Sequence, residues 1–343
     1  MNIFMIGTQR SGSNLLRLML NELPRIAAPH PPHILQRLMP LVPNYGDLDK
    51  SENFTQLVED VCRLVELNPV PWEGVTLKRR DVQMRCRRHT LMAVYEAVHN
   101  TMAEAWKAGS WCCKSMANIR YLPQIEAHFH SPRYIYLYRD GRDVAVSFRK
   151  AVVGEKHFYH IAREWAATQQ LALGMRERIG PERFFSISYE SLTSDAERSM
   201  RLLCKFLGVR FNPSMLEFYK SDEAKRAAES SELWGNVVKP IMADNSRKFL
   251  RDASENDIRI FESVAGDLLD SLNYERLYVP RGGETIFTEE DIQRFDAENL
   301  RLKEQMLDHT DAADLKRRDR QAILIQEIHS RGQMAPPSMR AIA

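Results

Sequence analysis

The stretch IFMIGTQRSGSNLLRLML, residues 3–20, decides the fold. Its first four residues form a short apolar run that ends at Gly7, which is typical of a buried strand. The apolar residues between Leu15 and Leu20 then predict a helix, which Pro24 ends. The chain therefore opens with a strand, a polar loop and a helix.

The same alternation continues along the chain. Further strands are predicted at residues 111–113, 134–138 and 184–188. Helical patterns cover residues 54–67, 82–108, 157–178, 195–207 and 255–272, and another helix begins after Asp140. This alternation favours an α/β fold with a parallel sheet flanked by helices. We assign residues 1–280 to this domain and residues 281–343 to a helical C-terminal extension.

The polar loop between the first strand and the first helix has the character of an anion site. Loop amides and the positive end of the helix dipole point at one spot there. Gly12 permits a ligand to approach the backbone closely. Ser11, Ser13 and Asn14 add side-chain donors. The alternative is a polar turn in which Ser11 or Ser13 only caps the helix.

The loop nearly matches the Walker motif GxxxxGK[ST]. Ser13 stands in place of the lysine, and Asn14 stands in place of the Ser/Thr that binds magnesium. Arg10 supplies positive charge instead, and its planar guanidinium suits two oxygens of a phosphate or sulfate. The loop therefore predicts a P-loop-type domain and argues against a nucleotide triphosphatase.

A second anion motif follows the third predicted strand. Arg139 leaves the carboxyl end of that strand, and Ser147 lies two turns into the next helix. Because ligands of parallel α/β sheets bind at the carboxyl ends of strands, these two residues could clamp a second phosphate. Arg142 and Asp143 lie at the start of the helix, where we expect them to form structural ion pairs.

The pairing of TQRSGSNLLRLML with YIYLYRDGRDVAVSF resembles the PAPS-dependent sulfotransferase family. That family uses 3′-phosphoadenosine-5′-phosphosulfate (PAPS) and releases adenosine 3′,5′-bisphosphate (PAP). The loop arginine is similar to that of tyrosylprotein and bacterial members, and the resemblance runs from residue 1 to about 278. It implies that residues 10–14 hold the 5′-phosphosulfate and that Arg139 and Ser147 hold the 3′-phosphate. It implies no metal.

The resemblance extends to further residues. Arg10 matches the cation at the bridging oxygen, and Lys114 resembles the lysine after the second core strand. Tyr189 resembles a tyrosine near the adenine, although an ordinary strand-end aromatic is the alternative. Lys248 matches the lysine that closes over the nucleotide better than Arg247 does.

The general base departs from the family pattern. Cytosolic members carry a histidine two residues after the lysine, but Met116 occupies that position here. Other members place a glutamate after the first helix, where this chain has His33 and His30. Neutral imidazole is a competent base near pH 7. His33 lies nearest the expected position, and the alternatives are His30, a base elsewhere, or no base.

Composition narrows the function further. The net charge of +2 gives no bulk electrostatic case for nucleic acid. The five cysteines show no zinc spacing and favour a reducing compartment. The N-terminus does not resemble a signal peptide, and no apolar stretch predicts a membrane span. We therefore expect a cytoplasmic enzyme.

The extension carries an apolar stripe with a short heptad spacing. Its members are Ile292, Phe295, Asn299, Leu302 and Met306. A helix of this length needs a partner. Either the stripe packs on the chain's own catalytic domain, or it pairs with a second copy in a homodimer.

The resemblance thus predicts transfer of a sulfuryl group from PAPS to a hydroxyl or amine of a small-molecule acceptor. Two other classes stay open: a P-loop kinase-like nucleotide phosphotransferase, and a non-catalytic nucleotide-binding module. The missing Walker lysine argues against the first. The joint presence of Arg10, Lys114, Arg139 and Ser147 argues against the second.

Overall fold

A computed structural model describes residues 1–242 and 245–334. The strands are β1 Asn2–Gly7, β2 Ile26–Ala27, β3 Ser110–Cys113, β4 Arg133–Tyr138 and β5 Phe184–Ser188. The α-helices are α1 Ser13–Asn21, α2 Ile34–Leu38, α3 Ser51–Glu66, α4 Arg79–Arg85, α5 Leu91–Ala105, α6 Leu122–His128, α7 Gly141–Arg149, α8 Phe158–Ile179, α9 Tyr189–Ser194, α10 Ala196–Leu207, α11 Asp222–Ser230, α12 Phe249–Asp252, α13 Glu255–Ser271, α14 Glu289–Asp308 and α15 Ala312–Met334. Short 3₁₀ segments cover Met39–Tyr45, Met116–Tyr121, Pro213–Lys220 and Glu232–Val238.

The strands form one parallel sheet in the order β2-β3-β1-β4-β5. Strand β1 lies at its centre, and the side chains of residues 3–6 are fully buried. Phe4 and Ile6 join the core on one face, whereas Ile3 and Met5 join the core on the other. A strand buried on both faces reads as a continuous apolar run. The α/β fold with a flanked parallel sheet is therefore confirmed.

One local expectation was wrong, and one strand was missed. The helix expected over residues 82–108 is interrupted, because the chain turns between α4 and α5 and Thr90 caps the second helix through Ala93 N. Strand β2 was not predicted, since two residues at a sheet edge are too short for a periodic signal.

The apolar stripe of the extension faces the chain's own catalytic domain. Phe295 packs against the ring of His157, with centroids 4.5 Å apart. The side-chain oxygen of Asn299 accepts from the backbone amides of Lys156 and His157. The stripe therefore has an intramolecular partner, which favours the first of the two alternatives, and the homodimer is left as the alternative to be tested in solution. The last residues of the predicted extension, 335–343, lie outside the described residues.

Candidate active site

A cavity of about 1040 Å³ opens at the carboxyl ends of the central strands. This is where ligands of parallel α/β sheets bind. Its lining includes the sequence-predicted residues Arg10, Gly12, Ser13, Asn14, His30, His33, Lys114, Arg139, Ser147, Tyr189 and Lys248. The fold thus brings together residues that are far apart in the sequence.

The loop after β1 leaves helix α1 without a side-chain cap. Gly12 occupies the N-cap position with a φ of 88°, and no side chain accepts from the first turn. The expectation that Ser11 or Ser13 only caps the helix is therefore wrong. The Ser11 hydroxyl is buried and has no hydrogen-bond partner among the described residues. Free amides and an unpaired hydroxyl at a helix N-terminus suit an anionic ligand.

Gly12 is required by the packing of the loop. A Cβ at this position would lie 2.4 Å from the ring of Tyr189. The same ring lies 4.3 Å below the guanidinium of Arg139. Tyr189 is therefore held between the two anion motifs rather than being a remote strand-end aromatic.

Arg10 joins the loop to helix α7. Its Nε donates to the Ser147 hydroxyl at 3.0 Å, and its carbonyl oxygen accepts from Arg139 at 3.3 Å. Burial lowers the pKa of Arg10 to about 10, with help from the positive charges of Arg139 and Arg318. Like charges this close favour binding of an anion between them.

Lys114 supplies a second cation from the end of β3. Its ammonium group donates to the Asn14 side chain at 2.9 Å, and the residue is 8% exposed. Burial lowers the Lys114 pKa to about 7, and the charges of Arg17 and Arg10 add to the effect. The described residues place no carboxylate against this ammonium group.

Asp143 positions the segment that carries Lys248. Its carboxylate accepts from the backbone amides of Arg247 and Phe249. Lys248 lines the cavity, whereas Arg247 does not. Asp143 also lies 3.5 Å from Arg139, while Arg142 pairs with Asp140 and Glu262. Both expected structural ion pairs are therefore present.

The two candidate bases differ in their surroundings. His33 Nδ1 lies 2.9 Å from the Ser115 hydroxyl. Burial lowers the His33 pKa to about 3, with contributions from Lys114 and Arg37. His30 is 4% exposed, and neither ring nitrogen has a partner among the described residues. Burial likewise holds the pKa of His30 well below its usual range. Both imidazoles are therefore neutral near pH 7.

Comparison with known proteins identifies the family. The sequence model described as "Sulfotransferase family" matches residues 2–213, more than half of the chain. The chain belongs to the sulfotransferase family. It is 23% identical over 282 residues to protein-tyrosine sulfotransferase A of Caenorhabditis elegans, which covers 80% of this chain and 67% of that protein. It is 21% identical over 281 residues to a protein-tyrosine sulfotransferase of Drosophila melanogaster, covering 80% of this chain but 51% of that protein.

Solved sulfotransferase structures share the fold. The sulfotransferase domain from the curacin biosynthetic pathway has a TM-score of 0.58 at 22% identity, covering 80% of this chain and 98% of that domain. The corresponding domain of the Synechococcus PCC 7002 olefin synthase has a TM-score of 0.54 at 20% identity, covering 80% of this chain and 94% of that domain. Membership of this family makes the chain a PAPS-dependent sulfotransferase.

The sulfotransferase cavity has walls that the sequence did not indicate. Arg37 contributes from α2, and Arg318 and Gln321 reach the cavity from α15 of the extension. No local motif marks these residues, since only tertiary packing places them near the anion loop. Within the described residues, no group of three or more His, Cys, Asp or Glu is arranged to hold a metal ion. The helices of this part of the chain include none long and apolar enough to cross a membrane.

The residues present fit the PAP portion of PAPS. The Ser11 hydroxyl and the Arg139 Nε are both buried without partners, one in each anion motif. A buried donor without a partner costs free energy unless a ligand accepts from it. Arg139 lines the cavity, whereas Ser11 lies buried behind the loop residues Arg10, Gly12 and Ser13 that line it. One unpartnered donor in each motif fits a nucleotide that carries two phosphate groups.

Proposed function

We propose that this sulfotransferase transfers the sulfuryl group of PAPS to a hydroxyl of a small acceptor by in-line displacement. An amine is the alternative acceptor group. The observation that carries the proposal is the convergence of Arg10, Lys114, Arg139 and Ser147 on one cavity. Within the described residues, Arg10 and Lys114 have no carboxylate partner, and such cations suit both the bound phosphates and the charge that develops during transfer.

Each residue then has a distinct role. PAPS supplies the activated sulfuryl group: the acceptor oxygen bonds to sulfur as the bond from sulfur to the bridging oxygen of the nucleotide breaks. Arg10 and Lys114 stabilise the negative charge of the leaving nucleotide. Arg139 and Ser147 hold the 3′-phosphate, Tyr189 lies near the adenine, and Lys248 covers the nucleotide.

His33 takes the proton of the acceptor hydroxyl in this proposal. Its imidazole is neutral and has a free lone pair, and an anion beside it would raise its pKa from about 3 toward the range in which a general base is effective. The bond to the Ser115 hydroxyl orients the ring. His30 is the second candidate, because both of its nitrogens lack partners among the described residues and it also lines the cavity.

Ligand selectivity tests the nucleotide site. At about a hundredfold excess over its dissociation constant, PAP should raise the free energy of unfolding by roughly 2.7 kcal/mol without metal. AMP and ATP–magnesium should have smaller effects, since neither carries a 3′-phosphate. Equal stabilisation by all three would contradict a 3′-phosphate site at Arg139 and Ser147.

Turnover tests the transfer itself. Labelled PAPS should pass its sulfuryl group to at least one member of a panel of alcohols, phenols, sugars, amines and a tyrosine-containing peptide. The peptide is included because the curated relatives are named protein-tyrosine sulfotransferases. Arg10→Gln should lower turnover by about two to three orders of magnitude. Arg120→Gln is the matched control, since Arg120 also lines the cavity but is exposed and paired with Glu164.

A cytoplasmic location remains part of the proposal. Its support is that all five cysteines are free thiols, four of them buried, as expected in a reducing compartment. Cell fractionation with an antibody to the native chain would test it.

A further inference from the structure

Arg37, in the cavity wall, has a charge that no neighbour within the described part of the chain neutralises. It lies on α2, four residues after His33, and is half-buried. Among the described residues its guanidinium has no hydrogen-bond or ion-pair partner. Burial lowers the Arg37 pKa, and the nearby positive charge of Arg318 lowers it further. Both side chains line the same cavity, and a partly desolvated cation without a partner favours an anion beside it.

Arg318 approaches the same part of the cavity from the C-terminal extension. Its side chain is 25% exposed. Asp314, on the preceding turn of α15, accepts from its Nε at 2.9 Å, and the Ser231 hydroxyl accepts from its Nη2 at 2.9 Å. Asp314 and Ser231 do not line the cavity. Asp314 also accepts from Nη2 at 3.3 Å, so the two side chains form an ion pair. These bonds fix the guanidinium in place, while Arg318 itself still lines the cavity.

A polar and aromatic wall lies beside these two cations. The ring of His30 packs on Trp234 with centroids 4.4 Å apart, and the guanidinium of Arg318 lies 5.9 Å from the same indole. Both nitrogens of His30 lack partners within the described part of the chain. This wall offers an apolar surface and an unused hydrogen-bonding group next to the unpaired charge.

This cluster comes from other segments than the two nucleotide motifs. Arg37 and His30 flank the candidate base His33 in the sequence. Arg318 lies on α15, far outside the matched family segment of residues 2–213. The cluster borders the nucleotide site, since the charge of Arg318 also lowers the pKa of Arg10, but it belongs neither to the loop after β1 nor to the Arg139 motif in the sequence.

We propose that Arg37 and Arg318, with His30 and Trp234 beside them, form an anion subsite for the sulfuryl acceptor, so that the preferred acceptor is a small hydroxyl compound carrying a carboxylate. This inference rests on the proposed sulfotransfer reaction. Two guanidinium groups suit a planar carboxylate through paired hydrogen bonds. The cavity of about 1040 Å³ lies at the upper end of the usual range of about 300–1,000 Å³ for ligand sites.

A charge series on one scaffold tests the subsite. The probes are para-hydroxyphenylacetate, its neutral amide, and tyramine, each titrated into the full chain saturated with PAP. A second pair, β-hydroxybutyrate and its amide, covers aliphatic hydroxyls. We expect each carboxylate to bind about tenfold or more tightly than its amide, with tyramine weakest, because a charge-assisted hydrogen bond discriminates at this level. Equal binding within both series, or binding of no carboxylate, overturns the subsite.

Variants assign the effect to the two arginines. Arg37→Gln and Arg318→Gln should each abolish most of the preference for the carboxylate while amide binding stays unchanged. Arg37→Gln should also leave PAP affinity unchanged, whereas the charge of Arg318 also acts on Arg10, so its variant is compared at PAP saturation. Arg317→Gln is the matched control. Arg317 lies on the same helix as Arg318, and its Nε donates to the Ser230 carbonyl, but it does not line the cavity. Thermal unfolding of each variant checks that α15 stays docked. An undiminished preference in Arg37→Gln overturns the assignment.

Two further outcomes are informative. A peptide with tyrosine between two aspartates, compared with one carrying asparagines, tests whether the carboxylates belong to a protein acceptor instead. Stronger discrimination on the peptides than on the small acids overturns the small-acceptor part of the proposal. Failure of PAP to bind would overturn the proposed function itself, whereas normal PAP binding and transfer without charge preference overturns only the subsite.

Discussion

Nucleotide binding should be coupled to protonation of Lys114. Burial and the charges of Arg17 and Arg10 lower the Lys114 pKa to about 7 in the free protein. At pH 8 only about a tenth of the Lys114 side chains are then protonated. An anionic phosphate beside it favours the charged form and raises the pKa again. PAP binding at pH 8 should therefore take up about 0.9 proton.

The same shift sets the pH dependence of affinity. Below pH 7 Lys114 is already charged, so binding needs no protonation there. Above pH 7 each pH unit should weaken PAP binding about tenfold, or roughly 1.4 kcal/mol. Protonation of PAP does not interfere in this range, because the second pKa of a phosphate monoester lies near 6.

Calorimetry in buffers of different ionisation enthalpy measures the proton uptake directly. Lys114→Met should abolish the uptake and flatten the affinity profile between pH 7 and pH 9. Lys150→Met is the control, since Lys150 also lines the cavity but is exposed and paired with Asp252. Proton uptake that persists in Lys114→Met would refute this account of the site electrostatics.

Three other perturbations have defined outcomes. Gly12→Ala should destabilise the fold by about 1–3 kcal/mol and weaken PAP binding, because its methyl group would overlap the Tyr189 ring; urea unfolding and calorimetry measure both. His33→Ala should lower turnover about 10²–10⁴-fold with PAP affinity kept, and an unchanged rate would move the base to another residue. Because the His33 pKa is held at about 3, kcat/KM should show no acidic limb from this residue between pH 5 and 7. Scattering from the full chain should show a monomer at high concentration, since Phe295 and Asn299 are buried against their own domain; a dimer lost in Phe295→Asp would contradict this.

The phosphate-binding half of the site could be predicted because its signals are local. A strand, a polar loop and a helix within twenty residues determine where Arg10 and the loop amides lie. Arg139 and Ser147 lie on one strand–helix unit in the same way. Parallel pairing of β1 with β4, with Gly7 opposite Leu137, then places the two motifs side by side. Local pattern and one sheet rule therefore suffice to bring the two motifs to one cavity.

The acceptor half could not be predicted, because it is assembled from segments with no shared pattern. Arg37 follows a proline-rich loop, Trp234 lies in a 3₁₀ segment, and Arg318 lies on a helix that reads as solvent-exposed and charged. These three residues come together only because α15 packs on the domain through its own buried side chains Leu324 and Ile328. In the sequence Arg318 is one basic residue among many.

This difference has a functional consequence. Nucleotide recognition rests on backbone amides and strand ends, which the central sheet fixes firmly. In the proposed subsite, acceptor recognition rests on side chains brought in by α2 and the C-terminal helix. Substitution of Arg37 should therefore change the acceptor while preserving PAP binding, whereas substitution of Arg318 should also act on the phosphate loop, because its charge lowers the pKa of Arg10. On this proposal the extension acts as a wall of the acceptor site as well as a brace on the domain.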